Sequence, residues 1–321
     1  MVQTKALTHV VVVGAGPIGA AIAVDVARHP DLRLIGVVDV APRLNGSKIA
    51  GVAVCADLSG VPISSERGDV AVVCTTSSFI QIAPTLRSCL ARGLHVVSTC
   101  EELVWPWALH PALAAIVDAE ARDVGRAVVG TGVNPGFLMD ALPVFLSAIS
   151  ARIDTISVVR AQDAAQRRVA FQHKIGVGLS IPEFDARVSA GGFLHRGLAE
   201  SAALIAAATG LRGTISETHR AITRGLEVDG VEQQCRVIDE NGVVRVTLCF
   251  EAWRGHPDPR DEIFIGGEPA LHMITRGVHG DVATRAIAVN AIAAVRRASP
   301  GVRTMLDLPV PNGRFARGSS A

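Results

Sequence analysis

Apolar positions along this chain follow two different rhythms. Over the first 140 residues, short unbroken apolar runs alternate with segments whose apolar residues recur at helical spacing. The first run is THVVVVG (Thr8 to Gly14), followed by an Ala/Val-rich helical segment to about His29 and by LRLIGVVD, which ends at Asp39. DVAVVCTTSS (Asp69 to Ser78), LHVVST and RAVVGTGVNPGF are further runs, separated by the helical IQIAPTLRSCLARG and HPALAAIVDAEARDVG. Continuous apolar runs of this length read as strands buried on both faces, and strict strand–helix alternation predicts a parallel sheet covered by helices.

From about Leu138 the rhythm changes. DTISVVRAQD (Asp154 to Asp163) predicts a strand with Arg160 and Gln162 on one face, because side chains two apart in a strand point the same way. A polar stretch containing FQHKIGVG follows, then a helix over HRGLAESAALIAAATG beginning at His195. VIDENGVVRVTLCFEAW predicts a hairpin in which Asn241 and Gly242 supply positive φ angles, and DEIFIGG with ALHMITRG predicts another strand pair. Successive hairpins without intervening helices describe an antiparallel sheet. GDVATRAIAVNAIAAVRRASPG then predicts an amphipathic helix ending at Gly301, before a tail containing Gly318, Ser319 and Ser320 that is expected to fray. The expected fold is α/β: a first domain over 1–140, a second α+β domain with a mainly antiparallel sheet over 141–280, and a C-terminal helix and tail over 281–321 packing back near the first domain.

Composition narrows the class. A chain of 321 residues, 49% hydrophobic and 19% charged, has enough apolar mass for a large core, and its length suits two domains. Net charge of +1 gives no electrostatic case for nucleic acid or an anionic membrane. Apolar runs are broken well before the roughly 20 residues needed to span a bilayer, and the N-terminus leads straight into a strand, so a cytoplasmic enzyme is expected. Cys55, Cys74, Cys89, Cys100, Cys235 and Cys249 form no CxxC pair, and the ten histidines show no ligand spacing, so no metal is expected and the thiols read as small buried hydrophobes. Tyrosine is absent, which removes every Tyr-dependent dehydrogenase mechanism.

The chemistry starts at GAGPIG. Gly14 permits the tight turn out of the first strand, Gly16 lets backbone approach a pyrophosphate, and Gly19 lets the helix pack on the strand. Pro17 suits the first helical turn, Ile18 completes the motif, and the helix N-terminus faces the phosphates. Asp39, about twenty residues on, stands where a carboxylate holds a ribose 2′-hydroxyl. Strand, turn, helix, strand and terminal acid in that order predict a Rossmann dinucleotide-binding domain. Asp39 favours NAD, whereas Arg43 offers a partner for the 2′-phosphate of NADP, the alternative reading of Arg43 being a solvated loop charge. Thr75, Thr76 and Ser77, at the carboxyl end of a strand, are placed to line the cofactor or to cap the next helix. Asn134, in a turn set by Pro135 and Gly136, is placed to bond the nicotinamide carboxamide or is a plain turn residue. Glu101 and Glu102 follow a buried strand beside Trp105 and Trp107; a carboxylate in such a partly dry cleft suits a general acid/base, while an acid facing a helix dipole explains one of the two.

Taken together, GAGPIG, CTTSS, STCEELVWPW, GTGVNPGFLMD, the RAQD strand, QHKIGVG, the HRGLAES helix and HGDVATRAIAVNAI resemble the dihydrodipicolinate-reductase-like family of 2,4-diaminopentanoate dehydrogenases and native amine dehydrogenases, over nearly the whole chain. The resemblance implies a homodimeric enzyme that moves hydride between NAD(P)H and an amine-bearing carbon, with a small carbonyl or amine and ammonia as substrates. It implies Glu102 as catalytic acid/base, with Glu101 as rival. It also implies Arg160 and His195 as carboxylate-binding residues, Gln162 as their polar partner, Thr284 of HGDVAT in the substrate set, and Phe137, Phe171 or Trp105 as the aromatic wall. Arg160 has an interdomain or dimer salt bridge as its competing reading, and His195 a capping role. Two alternatives remain: a dihydrodipicolinate-reductase-like or homoserine-dehydrogenase-like reductase that does not use ammonia, and a non-catalytic nucleotide sensor.

Overall fold

A computed structural model describes residues 7–191 and 193–315; the Gly318 to Ser320 tail lies outside them. The chain forms two compact units, one reaching to Gly132 and resuming at Ala283, the other running from Val133 to Val282.

The first unit opens with β1 (Thr8–Val13), α1 (Pro17–Arg28), β2 (Leu32–Val38), β3 (Lys48–Ile49) and β4 (Val52–Cys55). It continues with β5 (Val70–Val73), α2 (Phe79–Ala91), β6 (His95–Ser98), α3 (Pro111–Asp123) and β7 (Ala127–Gly130). The second unit carries α4 (Ala141–Ser147), β8 (Arg152–Asp163), α5 (Val169–Lys174), α6 (Ile181–Ser189), α7 (Leu198–Thr209), β9 (Gly213–Arg224), β10 (Glu227–Asp239), β11 (Val244–Trp253), β12 (Arg260–Glu268) and β13 (Leu271–Thr275). The chain then returns through α8 (Gly280–Val295), most of which belongs to the first unit, and β14 (Gly301–Arg303).

The sheet of the first unit has the order β14-β7-β6-β5-β1-β2-β4-β3 and is parallel except where β3 meets β4. The strand cores are fully buried because helices cover both faces, which is why they read as unbroken Val runs. Strand order reverses between β2 and β5, on either side of β1, so a crevice opens at the carboxyl ends of β1 and β5 where such sheets bind ligands. Two pieces were not legible: the segment after Asp39, read as loop, holds the short β3 and β4, and β14 adds a strand beside β7 after α8 stops at Val295 rather than near Gly301.

The second sheet has the order β13-β12-β8-β11-β10-β9, antiparallel except for the parallel β8–β11 pair. Alternate residues, including Ile156 and Val158 of β8, Leu248 and Phe250 of β11, and Ile263 and Ile265 of β12, form one core with Phe171, Phe184, Leu198, Ala202 and Ile205 of the helices. Four local readings change. α5 and α6 occupy the stretch read as polar, and α6 is started by a Ser180–Glu183 capping box. β9, exposed over most of its length and without apolar alternation, is a strand because it pairs with β10 along its whole length. His195 precedes α7 instead of starting it, since Gly197 stands at φ +104°, where a Cβ would come within 2.3 Å of Pro135. In the β10–β11 turn only Gly242 has positive φ; the Asp239 carboxylate accepts the N–H groups of Asn241 and Val243, closing a longer loop than the expected two-residue turn.

Candidate active site

The glycine turn is built as a cradle. Gly14 has φ +94°, and a Cβ there would lie 2.7 Å from the Cys74 carbonyl oxygen; at Gly19 a Cβ would lie 1.8 Å from the Gly14 oxygen. Both positions therefore admit only glycine. Gly16 faces open space and is the N-cap of α1 with no side chain capping it, so the first-turn amides are presented outward, followed by Pro17 and Ile18. Thr75, exposed, lies against Gly14, which brings the carboxyl ends of β5 and β1 together. Thr76 Oγ1 bonds Gln81 Oε1 (2.9 Å) and accepts Ser78 N–H (3.3 Å), and the half-buried Ser77 accepts Glu102 N–H through its carbonyl (3.2 Å). Asp39 uses its carboxylate on backbone: Oδ2 accepts Ala15 N–H (2.6 Å) and Oδ1 accepts Ala41 N–H (2.8 Å). Arg43 is exposed on the 3-10 turn Pro42–Leu44. The cradle fits a dinucleotide pyrophosphate, with Cβ-free backbone at the two contact points and an uncapped helix N-terminus.

The glutamate pair sits on the 3-10 turn Glu101–Val104 after β6. β7 supports this turn at Gly130, where a Cβ would fall 2.5 Å from the Leu103 backbone. Glu102 is only 7% exposed, and its Oε2 accepts the N–H of Phe79, the first residue of α2, at 2.7 Å. His110 Nε2 lies 3.6 Å from the same oxygen. Glu102 is thus the acid at a helix dipole, the role the sequence left open between the two glutamates, though the helix is α2 rather than the one that follows. Glu101 is half-buried, and Trp105 packs edge-on against Trp107 with centroids 4.9 Å apart. No spacing rule pointed to His110, Gly130 or the Phe79 amide, since each meets Glu102 or its turn only through the fold.

In the second unit, β8, β11 and β12 bring Arg160, Phe250 and Asp261 into one row across the sheet. Arg160 is 2% exposed and donates through Nη1 to Asp261 Oδ1. Burial pulls the guanidinium below its ordinary value and pushes the Asp261 carboxyl up, each opposed by the charge of the other. Two residues on, Gln162 accepts Arg167 Nη1–H through Oε1, and Arg167 Nη2 donates to Asp281 Oδ1 at 3.0 Å. The Arg167 guanidinium lies 4.2 Å over the Phe171 ring, and Phe171 meets Phe250 edge-on. His195 stacks on Phe250 with centroids 4.4 Å apart. Its Nε2 lies 3.1 Å from the side-chain amide of Asn134. Gln233 fixes the His195 backbone, accepting its N–H (2.9 Å) and donating to its carbonyl (3.0 Å).

The turn carrying Asn134 and the half-buried Phe137 is held from below by Asp140. This fully buried carboxylate accepts Gly136 N–H (2.7 Å), Ala141 N–H (2.6 Å) and Ser201 O–H (2.7 Å), while burial pushes its pKa up against those donors. Asn134 Oδ1, Arg160 Nη2 and Arg167 Nε are buried without a hydrogen-bond partner, which marks a polar cluster with bonding capacity to spare. Arg160, Gln162, His195 and Asn134 therefore share one cluster with Arg167, Asp261, Phe250 and Gln233, which the sequence did not single out. Thr284, in α8, belongs to the first unit. Among the described residues no group of three or more His, Cys, Asp or Glu side chains gathers as for a metal. The thiols are unpaired, and burial pushes those of Cys74, Cys89, Cys100, Cys235 and Cys249 up to about 12.

A glycine cradle at the switch point of a parallel sheet, on a chain whose second unit is a mainly antiparallel sheet with helices, defines an NAD(P)-dependent oxidoreductase. Family profiles agree: residues 5–93 match the CoA-binding domain, and residues 137–247 and 254–319 match the 2,4-diaminopentanoate dehydrogenase C-terminal domain. The chain belongs to this 2,4-diaminopentanoate dehydrogenase family. It is 27% identical to a 2,4-diaminopentanoate dehydrogenase of Acetoanaerobium sticklandii, covering 94% of this chain and 93% of that protein. It shares its fold with an amine dehydrogenase from Mycobacterium smegmatis (TM-score 0.81, 24% identity, 96% and 97% of the two chains). It also does so, more distantly, with the DAP dehydrogenase of C. glutamicum (TM-score 0.51, 15% identity, 94% of each).

Proposed function

We propose that this protein is an NAD(P)-dependent amine dehydrogenase that reversibly converts a ketone or aldehyde and ammonia into an amine. The observation that carries the reading is Glu102, a buried carboxylate oriented by the Phe79 amide on a turn that follows a strand of the dinucleotide-binding sheet. Family membership supports the amine as the group acted on.

The nicotinamide, when bound, supplies the hydride chemistry; the protein supplies position and field. The α1 N-terminus and the Cβ-free backbone at Gly16 hold the pyrophosphate. Asp39 would take the ribose. NAD is favoured over NADP because a 2′-phosphate beside the Asp39 carboxylate meets like charge, with Arg43 as the residue that tempers it. Reductive amination needs ammonia as free base, loss of water from a carbinolamine, and a stabilised iminium. Glu102 serves each step. It takes a proton from ammonium, returns it to the departing hydroxyl, and then stands as counter-charge to the iminium.

The reading also includes a homodimer formed through the second sheet. The face away from the helices carries Phe264 and Ile274, 43% and 47% exposed, on a sheet whose other face is the core. Light scattering at micromolar concentration is expected to return twice the 33.5 kDa chain mass.

The test of the function is a panel of ketones, aldehydes and oxo-acids assayed with NADH and NADPH, with and without ammonium. Oxidation of the nicotinamide that requires ammonium supports the amine dehydrogenase. Oxidation independent of ammonium replaces it with a carbonyl reductase, and cofactor binding without turnover of any carbonyl replaces it with a nucleotide sensor.

A further inference from the structure

We propose that His110 is the proton relay of Glu102: it carries the proton that the reaction exchanges with solvent to and from a carboxylate that the fold has buried. The proposal rests on the amine dehydrogenase reading and adds to it a positioning residue that acts through Glu102.

The need for a relay follows from the balance of the reaction. A ketone, ammonium, NADH and one further proton give an alkylammonium ion, NAD⁺ and water, because an aliphatic amine, like the lysine side chain with its pKa of about 10.4, is protonated near neutral pH. One proton beyond those of ammonium is therefore taken up in each turnover. In the direction of deamination the same proton has to be shed. Glu102 removes it from the alkylammonium ion so that hydride can depart, and has to lose it again before acting as base toward the water that attacks the iminium. A buried carboxyl exchanges protons with bulk water slowly unless a second group bridges the two.

His110 has that placement, and both residues belong to the first unit. Its Nε2 lies 3.6 Å from Glu102 Oε2, and its side chain is 24% exposed against 9% for that of Glu102. The imidazole thus borders the carboxylate and stays open to solvent. Oε2 accepts one hydrogen bond, from Phe79 N–H, and a carboxylate oxygen has a second lone pair to offer. At 3.6 Å the pair is longer than a hydrogen bond, a gap that a small side-chain rotation or one bridging water closes. The backbone of His110 is pinned on both sides, its N–H donating to the Pro106 carbonyl (3.0 Å) and its carbonyl accepting Ala114 N–H (2.9 Å), while its ring lies against Phe79 with centroids 6.2 Å apart. The side chain takes no part in starting α3, which begins at Pro111 without a side-chain cap. The ionisable groups of the elements packed around it are Glu101 and Glu102 on the turn, Arg87 on α2, Asp118, Glu120, Arg122 and Asp123 on α3, and Arg303 on β14. Those on the helices lie about two turns or more beyond the helix starts; Arg87 pairs with Glu120, and Arg122 and Arg303 act on Asp118. The carboxylate of Glu102 is the charge that His110 meets.

In deamination the O–H bond of Glu102 breaks as an N–H bond forms at Nε2 of the neutral imidazole, and the imidazolium then gives up a proton to water or buffer. Amination runs the same transfer in reverse. Imidazole is the side chain suited to both directions, because it gains and loses its proton near neutral pH.

The experiment uses full-length wild type, His110→Gln and His110→Ala, assayed in both directions with the ketone and amine that the substrate panel selects. In His110→Gln the kcat of deamination is expected to fall by about tenfold to a hundredfold, at or below the low end of a direct acid/base because water remains as a slower carrier. The KM values for NAD and the amine and the melting temperature are expected to stay as in wild type. Wild-type kcat of deamination is expected to rise with pH across about pH 5 to 8, where an imidazole becomes a neutral acceptor, and this rise is expected to be missing in His110→Gln. Imidazole added to the buffer is expected to restore kcat of His110→Ala in proportion to its concentration and to leave wild type unchanged. A His110→Gln enzyme with the wild-type kcat and pH profile overturns the relay and leaves the amine dehydrogenase standing. A loss of kcat in His110→Ala that imidazole does not restore shows a structural role and also overturns it. Where His110→Ala does not fold, the pH profile of His110→Gln decides. Wild type that turns over nothing in the panel fails the amine dehydrogenase reading and the relay with it.

Discussion

Glu102 carries two loads in this structure, and two substitutions separate them. Its Oε2 holds the Phe79 N–H at the start of α2, and both groups are buried. Glu102→Ala removes the acceptor and leaves that amide without a partner. An orphaned buried donor costs about 1–3 kcal/mol, and losing the anion at a helix N-terminus costs about 0.3–1 kcal/mol, so a loss near 2 kcal/mol is expected. For a unit of this size each kcal/mol lowers the melting temperature by about 2–4 °C, which predicts a drop of about 4–8 °C in calorimetry. Glu102→Gln keeps an oxygen for Phe79 and gives up only the charge, so its melting temperature is expected to stay within about 3 °C of the parent, a change of less than 1 kcal/mol. Its turnover should nonetheless fall by about two to four decades, the usual contribution of a positioned acid/base, while NADH binding by fluorescence titration is unchanged. A glutamine variant that keeps most of its activity refutes the catalytic assignment, and if Glu101→Gln is the inactive one the role passes to Glu101. An alanine variant that melts with the parent refutes the helix-capping account.

Two further outcomes test other parts of the molecule. Gly19→Ala puts a Cβ 1.8 Å from the Gly14 carbonyl oxygen; the cradle must open, and NADH affinity by fluorescence titration is expected to fall by about fivefold to a hundredfold, since overpacked contacts of this kind cost about 1–3 kcal/mol. Retained affinity would show that the pyrophosphate is held elsewhere. His95, buried on β6 with Nδ1 accepting Ala127 N–H, is held down from its ordinary 6.5 to about 4 by burial, with Arg126 and Arg296 adding to the effect. The unfolded chain takes up this proton below about pH 6.5 and the folded chain only near 4, so stability present above pH 6.5 is lost as pH falls through that window. The gap corresponds to at most about 3.5 kcal/mol at 1.4 kcal/mol per pH unit. Urea denaturation of wild type and His95→Asn at pH 7 and pH 4.5 checks this: the difference between the two pH values should shrink in the variant.

The first unit was legible from its sequence because its physics is local. Unbroken Val runs can be satisfied only by burial on both faces, and Gly14, Gly16 and Gly19 have spacing that carries its own geometric meaning; the strand–helix order followed from them. Where local signals were weak, the readings drifted. β9 has no apolar alternation and became a strand through β10, and the expected helix start at His195 gave way to Gly197, whose backbone must clear Pro135. The residue types of the site were also present in the chain: Glu102, Arg160, Gln162, His195 and Asn134 stood out as polar groups at strand ends or in special turns. Their partners did not. Phe79 and Glu102 are separated by 23 positions and Arg160 and Asp261 by 101, and nothing in either neighbourhood announces the other. A sequence determines what each residue offers, charge, donor or apolar face, because those are properties of the residue. Whether a carboxylate acts as a helix cap, an acid/base or the neutralising partner of an arginine depends on what lies within 3 Å of it, and only the tertiary structure decides that.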